Sequence, residues 1–158
     1  ITHHMDLYMR IMFGKSPLKR MQREMLGVVV SRANGCAYCQ IHHLEAVKHY
    51  WKDDDRAALL RQNFRKARLN AADEALCSYA EALTLRPAEA ENDPQYLHPL
   101  KNQGFSDRAI LDATLVVSYF NFVNRMVLAL GVDVEENPGT CILLKQKILA
   151  HTKWLSLS

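Results

Sequence analysis

The sequence predicts an all-α protein, a bundle of about six to eight helices. Three observations predict it. Apolar residues recur at three- and four-residue spacing over most of the chain. Helix caps and breakers punctuate that pattern at Ser16-Pro17, Asn34-Gly35, Asn70, Pro87, Ser106 and Gly131. No segment alternates cleanly between apolar and polar residues within turn boundaries, as a half-buried strand would.

Each helix follows from local signals. Residues 1–13 place Leu7, Ile11 and Met12 on one side, and Gly14 ends the run. Ser16 then reads as a cap and Pro17 as the first residue of a helix to about Ala33. Its Val28-Val29-Val30 run has strand propensity, against the helical setting of Met21 and Leu26. Gly35 suits the left-handed residue that follows a helix. A second long helix carries Cys36 to about Tyr50, with Ile41, Leu44 and Val47 as its buried stripe. Asp53, Asp54 and Asp55 favour the start of a helix over roughly Arg56 to Phe64. Asn70 caps the next, which buries Ala75, Leu76, Tyr79, Ala80 and Leu83 and stops at Pro87. Residues 88–104 form a loop with one short helix, Pro94 to Asn102. Ser106 caps a helix from Asp107 to about Leu130, closed by Gly131. Asn137-Pro138-Gly139 breaks the chain again, and Ile142 to Leu157 reads as a last helix or a tail. The organisation is one domain over 1–136 and a C-terminal tail of unknown role over 137–158.

Composition narrows the function. The 158 residues are 49% hydrophobic and 23% charged, as in an ordinary globular domain. Lys+Arg 20 against Asp+Glu 17 leaves +3, mixed along the chain, so nucleic acid is not an expected partner. No apolar run has the length of a membrane span. The first residues, with His3, His4 and Asp6, do not read as a leader, although Ile1 in place of Met leaves room for a preceding segment. Four cysteines without a secretory pattern point to a reducing, cytoplasmic setting with one special pair. No haem, flavin or nicotinamide motif is present, and no Gly-rich phosphate loop, so no bound cofactor is expected.

That special pair is Cys36 and Cys39, with His43 one turn further on. At about 100° per residue, positions i, i+3 and i+7 share a helix face, so all three line up. Two thiols and a nearby base suit either thiolate redox chemistry or metal binding. Zinc needs four ligands, and only His43 follows at usable spacing. Two inert buried thiols are the other plain reading. Cys77 sits in an apolar helix and reads as core. His42, His49 and His98 read as surface residues, and His3-His4 as neither tag nor metal site.

The spacing Glu24, eleven residues, Cys36, two residues, Cys39, three residues, His43 resembles the signature of the alkylhydroperoxidase D (AhpD) and carboxymuconolactone decarboxylase superfamily. The run Val30-Ser31-Arg32-Ala33-Asn34-Gly35-Cys36-Ala37-Tyr38-Cys39 is similar to its peroxidase-related branch. So are Gly104-Phe105-Ser106-Asp107, Asn121-Phe122-Val123-Asn124-Arg125 and Leu130-Gly131-Val132. The resemblance implies an AhpD-like helical bundle, a homo-oligomer (dimer, trimer or hexamer) and a peroxide substrate. It implies Cys39 as the attacking thiol, Cys36 as the resolving one, and Glu24 with His43 as the proton relay. The electrons would come from an external dithiol, a lipoyl group on a carrier protein or thioredoxin. Tyr38 stands where the family's well-characterised peroxidases carry a histidine, which leaves the relay to Glu24 and His43.

The residues themselves leave the order of the cysteines open. Cys39 has His43 at i+4, and Cys36 is nearer the helix N-terminus. The helix end, a protonated His43 and an orienting Glu24 are each expected to lower a thiol pKa. Asn121, Asn124 and Arg125 read as an inter-subunit polar network or as site lining, with a carboxylate partner expected for Arg125. Tyr8, Tyr119, Phe120 and Phe122 read as core or as the wall of a peroxide pocket. The competing functions are a lactone decarboxylase of the same fold and a non-enzymatic redox sensor or helical scaffold.

Overall fold

A computed structural model describes residues 2–91 and 96–132. Its helices are α1 (Thr2–Phe13), α2 (Arg20–Ala33), α3 (Ala37–Trp51), α4 (Asp54–Asn63), α5 (Ala71–Leu85), α6 (His98–Asn102) and α7 (Asp107–Ala129). Short 3-10 turns cover Phe64–Lys66 and Pro87–Glu91. Among the described residues there is no strand, and the fold is the all-α bundle the sequence predicts. The break at Asn137-Pro138-Gly139, the fourth cysteine, Cys141, and the last helix or tail at 142–157 lie outside the described residues, as does the predicted start of the short helix at Pro94.

Helix α2 is the central beam. Every residue from Arg23 to Ser31 is buried, and the helix packs against α1, α3, α4, α5 and α7. A helix covered all round has no use for a polar face, which is why its valines overcome their strand preference. Met25, Leu26, Val28, Leu60, Phe64, Leu76, Leu100, Val116 and Phe120 fill the core around it, and Cys77 belongs to that core.

Helix α2 starts at Arg20, three residues later than Pro17, with Lys19 as its cap. The Ser16 hydroxyl accepts from the Leu18 N–H and donates to Asp112 on α7, so it ties the α1–α2 loop to α7 rather than capping a helix. Gln22 takes over at the cap, accepting from the Lys19 N–H at 2.9 Å. The other caps follow the sequence: Asp53 accepts from Arg56 N–H, Asn70 from Asp73 N–H and Ser106 from Ala109 N–H. No helix of the described residues is long and apolar enough to cross a membrane.

Candidate functional site

The site is built on the joint between α2 and α3. Gly35, at φ +71°, takes the left-handed position after α2. The Gly35 N–H donates to Arg32 O at 3.0 Å and the Cys36 N–H to Ser31 O at 2.9 Å. These two bonds make a Schellman closure. Cys36 is therefore the last residue of that closure and also the N-cap of α3. Cys39 follows in the first turn, and α3 runs back along α2.

The sulfurs of Cys36 and Cys39 lie 2.7 Å apart as free thiols, and both are buried. Burial pushes the Cys39 thiol well up from its ordinary value, and the hydrogen bond and charge of Cys36 add to the rise. This corrects the expectation that the helix end and His43 lower it. At 4% exposure, loss of hydration outweighs the dipole for Cys39.

His43 stands one turn beyond Cys39, and its Nδ1 lies 2.7 Å from Glu24 Oε2. Glu24 is 3% exposed. Burial pushes its carboxyl up, but the hydrogen bond and charge of His43, with the Arg20 guanidinium, outweigh it and hold the group below the usual carboxylate range. An ionised Glu24 only accepts, so Nδ1 carries the proton and Nε2 is left as the basic nitrogen.

Arg20, Gly27 and Phe120 complete the setting. Arg20 donates to Glu24 Oε1 through Nε at 2.7 Å and also through NH2, while its NH1 reaches Met12 O at 3.0 Å. Its i, i+4 spacing to Glu24 was the available signal. Gly27 faces the imidazole so closely that an added Cβ would meet His43 Cγ at 2.9 Å. A glycine inside an apolar helix is the corresponding sign. The Phe120 ring meets His43 edge-on, with centroids 4.3 Å apart. Of the other aromatics, Tyr119 is buried with its hydroxyl 3.3 Å from His4 Nε2, Tyr8 packs beside it, and Phe122 is exposed.

The polar residues of α7 divide. Asn121 accepts from Asn34 and donates to Thr84, a network within the chain. Arg125 is exposed and donates to Asn121 O and Oδ1, so its expected carboxylate partner is not needed: water solvates the charge. Asn124 is fully buried and accepts from Ser31 Oγ at 3.3 Å. His42 is half-buried with its ring 4.2 Å from that of Tyr38, a correction to its surface reading; His49 and His98 are exposed. Among the described residues no three His, Cys, Asp or Glu side chains converge as a metal site. Two surface clefts, one bordered by Gln40, Lys48 and Arg61 and the other by Thr84, Phe122 and Arg125, include neither thiol.

An all-α bundle with a buried dithiol beside a His–Glu pair defines the class. The carboxymuconolactone decarboxylase family profile matches residues 3–82, and the chain belongs to that family, in its AhpD-like, peroxidase-related branch. It is similar to an uncharacterized peroxidase-related protein from Silicibacter sp. TM1040, 32% identical with a TM-score of 0.79, over 85% of this chain and 70% of that one. It shares its fold with the AhpD-core peroxidase-related protein from Ralstonia eutropha JMP134, 24% identical with a TM-score of 0.80, over 88% and 72% of the two chains. The uncharacterized protein YdfG of Bacillus subtilis (strain 168) is 25% identical over 117 residues, 74% of this chain and 78% of its own. The debrominase Bmp8 has the same fold, at 20% identity and a TM-score of 0.74, over 88% of this chain and 73% of that one. The family is one of enzymes, peroxidase-related or decarboxylase-type.

Proposed function

We propose that this protein is a thiol-dependent hydroperoxidase that reduces peroxides through Cys36 and Cys39. The observation that carries the reading is the pair of free sulfurs 2.7 Å apart, one turn from a histidine whose Nδ1 is held by Glu24. His43 Nε2 takes the proton of the Cys39 thiol. The thiolate attacks the terminal peroxide oxygen; the S–O bond forms as the O–O bond breaks. The leaving alkoxide takes the proton from His43. Cys36 then displaces water from the sulfenic acid and closes the disulfide. An external dithiol, a lipoyl group on a carrier protein or thioredoxin, then reduces the disulfide back to two thiols by exchange, supplying two electrons and two protons and leaving as its own disulfide.

A redox dithiol has no part in a lactone decarboxylation, which is why the peroxidase reading stands first. We place the protein in the cytoplasm, where thiols are kept reduced. We also propose self-association through α7, whose Leu111, Leu115, Phe122 and Met126 form an exposed apolar stripe with Leu130, 74% exposed, at its end.

The test is peroxide consumption by the reduced protein, with thiols counted before and after. One equivalent of tert-butyl hydroperoxide should remove two thiols in the wild type and not in Cys39→Ser. Thiols that survive excess peroxide would leave a lactone-handling enzyme or a scaffold as the better reading.

A further inference from the structure

Three helices meet around His43. In one layer, Gly27 of α2 faces His43 of α3, and His43 meets Phe120 of α7. Helix α3 returns antiparallel to α2 from the Gly35 joint. Helix α7 runs parallel to α2: Ser16, just before α2, bonds Asp112 near the start of α7, and Ser31, near the end of α2, bonds Asn124 near the end of α7. One helical turn along from that layer come Ser31 on α2, Cys39 on α3 and Asn124 on α7, with Ser31 Oγ bonded to Asn124 Oδ1. Ser31 lies against the N-terminus of α3, where its carbonyl takes the Cys36 N–H.

Asn124 is incompletely used there. It is 0% exposed, and its Oδ1 accepts from Ser31 Oγ. Its Nδ2 has no hydrogen-bond partner among the described residues. A buried amide donor left unmade is destabilising, and such groups in native proteins have a use or a partner that comes and goes. Cys39 has the complementary need. It is buried, and it must carry negative charge to react.

We propose that the Asn124 side-chain amide, unpartnered while Cys39 is a neutral thiol, becomes the hydrogen-bond donor for its thiolate sulfur and then for the oxygen that the sulfur acquires. The inference rests on the peroxidase reading for the oxygen, but not for the sulfur. Asn124 brings no charge of its own. The titratable groups around Cys39 are Cys36 and His43 on α3 and Glu24 on α2, backed by Arg20; α7 presents Phe120 and Asn124, neither of which titrates.

The test has two arms. In a Cys36→Ser, Cys77→Ala, Cys141→Ser background, which leaves Cys39 as the single thiol, thiolate absorbance is followed against pH, with Asn124 and with Asn124→Leu or Asn124→Asp. Loss of the donor should raise the apparent thiol pKa by about one unit with leucine and further with aspartate. Peroxide-driven thiol loss should slow about tenfold or more with the wild-type cysteines present. Melting curves separate this from a loss of fold. The second arm uses the unaltered chain: the Asn124 Nδ2 proton resonances should move downfield as Cys39 ionises. An unmoved titration in a folded Asn124→Leu protein, or amide resonances indifferent to the thiolate, overturns the proposal. A wild type that consumes no peroxide yet shows both thiolate effects would sink the peroxidase reading and keep the donor.

Discussion

Replacing Gly27 with alanine should damage the relay more than the fold. The added Cβ would sit 2.9 Å from His43 Cγ and 3.1 Å from Cδ2. Ordinary carbon contacts are about 3.5–4.0 Å, so the ring must retreat by roughly 0.6 Å or more. It has little room, since Phe120 closes one side and Glu24 holds Nδ1 at 2.7 Å. Overpacking of this kind costs about 1–3 kcal/mol. Alanine returns about 1 kcal/mol through helix propensity, so the net loss of stability is about 0–2 kcal/mol. In a His43→Ala background the clash vanishes and the same substitution should stabilise by up to about 1 kcal/mol. The coupling, about 1–3 kcal/mol, is read from a double-mutant cycle of urea melts. Thiol loss with tert-butyl hydroperoxide should fall roughly ten- to a hundredfold in Gly27→Ala, as misplaced catalytic groups generally lose rate. Equal stability changes in both backgrounds, with an unchanged rate, would refute the proposed packing of His43 on Gly27.

The remaining predictions are shorter. A sulfenic-acid trap should label Cys36→Ser after peroxide and leave Cys39→Ser unlabelled; the opposite pattern reverses the order of the thiols. Glu24's carboxyl is held below its usual range by His43 and Arg20. Its contribution to stability is therefore complete above the ordinary carboxyl value and lost as pH falls through the depressed one. In Arg20→Gln the acid limb of the stability curve should move to higher pH, and an unmoved limb would count against the guanidinium's role. Phe122→Glu, in the α7 stripe, should shift the protein to smaller species in sedimentation without lowering its melting temperature; an unchanged sedimentation profile argues for another interface.

Much of the fold was legible because its signals are local. Asp53, Asn70 and Ser106 cap the helices they precede, and Gly35 and Gly131 take left-handed φ. The start of α2 was not, because Ser16 is claimed by Asp112, ninety-six positions away in the chain. The pairing of Cys36 with Cys39 could be read from helix period, and that of Glu24 with His43 from the resemblance to the family signature. Arg20 and Gly27 left local traces that gain meaning only once His43 is seen between α2 and α7. The Cys39 thiol was misread for a related reason. Proximity to a helix end is visible in a sequence, whereas the burial that pushes the thiol up is set by tertiary packing.

The central position of α2 also governs how the site opens. Its amides from Met25 to Ser31 lie in a helix buried along this whole stretch and packed by five others. Hydrogen exchange there should report the stability of the whole molecule, with no cheaper partial opening. The backbone that carries Glu24 and Gly27 is thus the last part to come apart. Conditions that loosen the α6 region, which holds none of the site residues, would leave the chemistry standing.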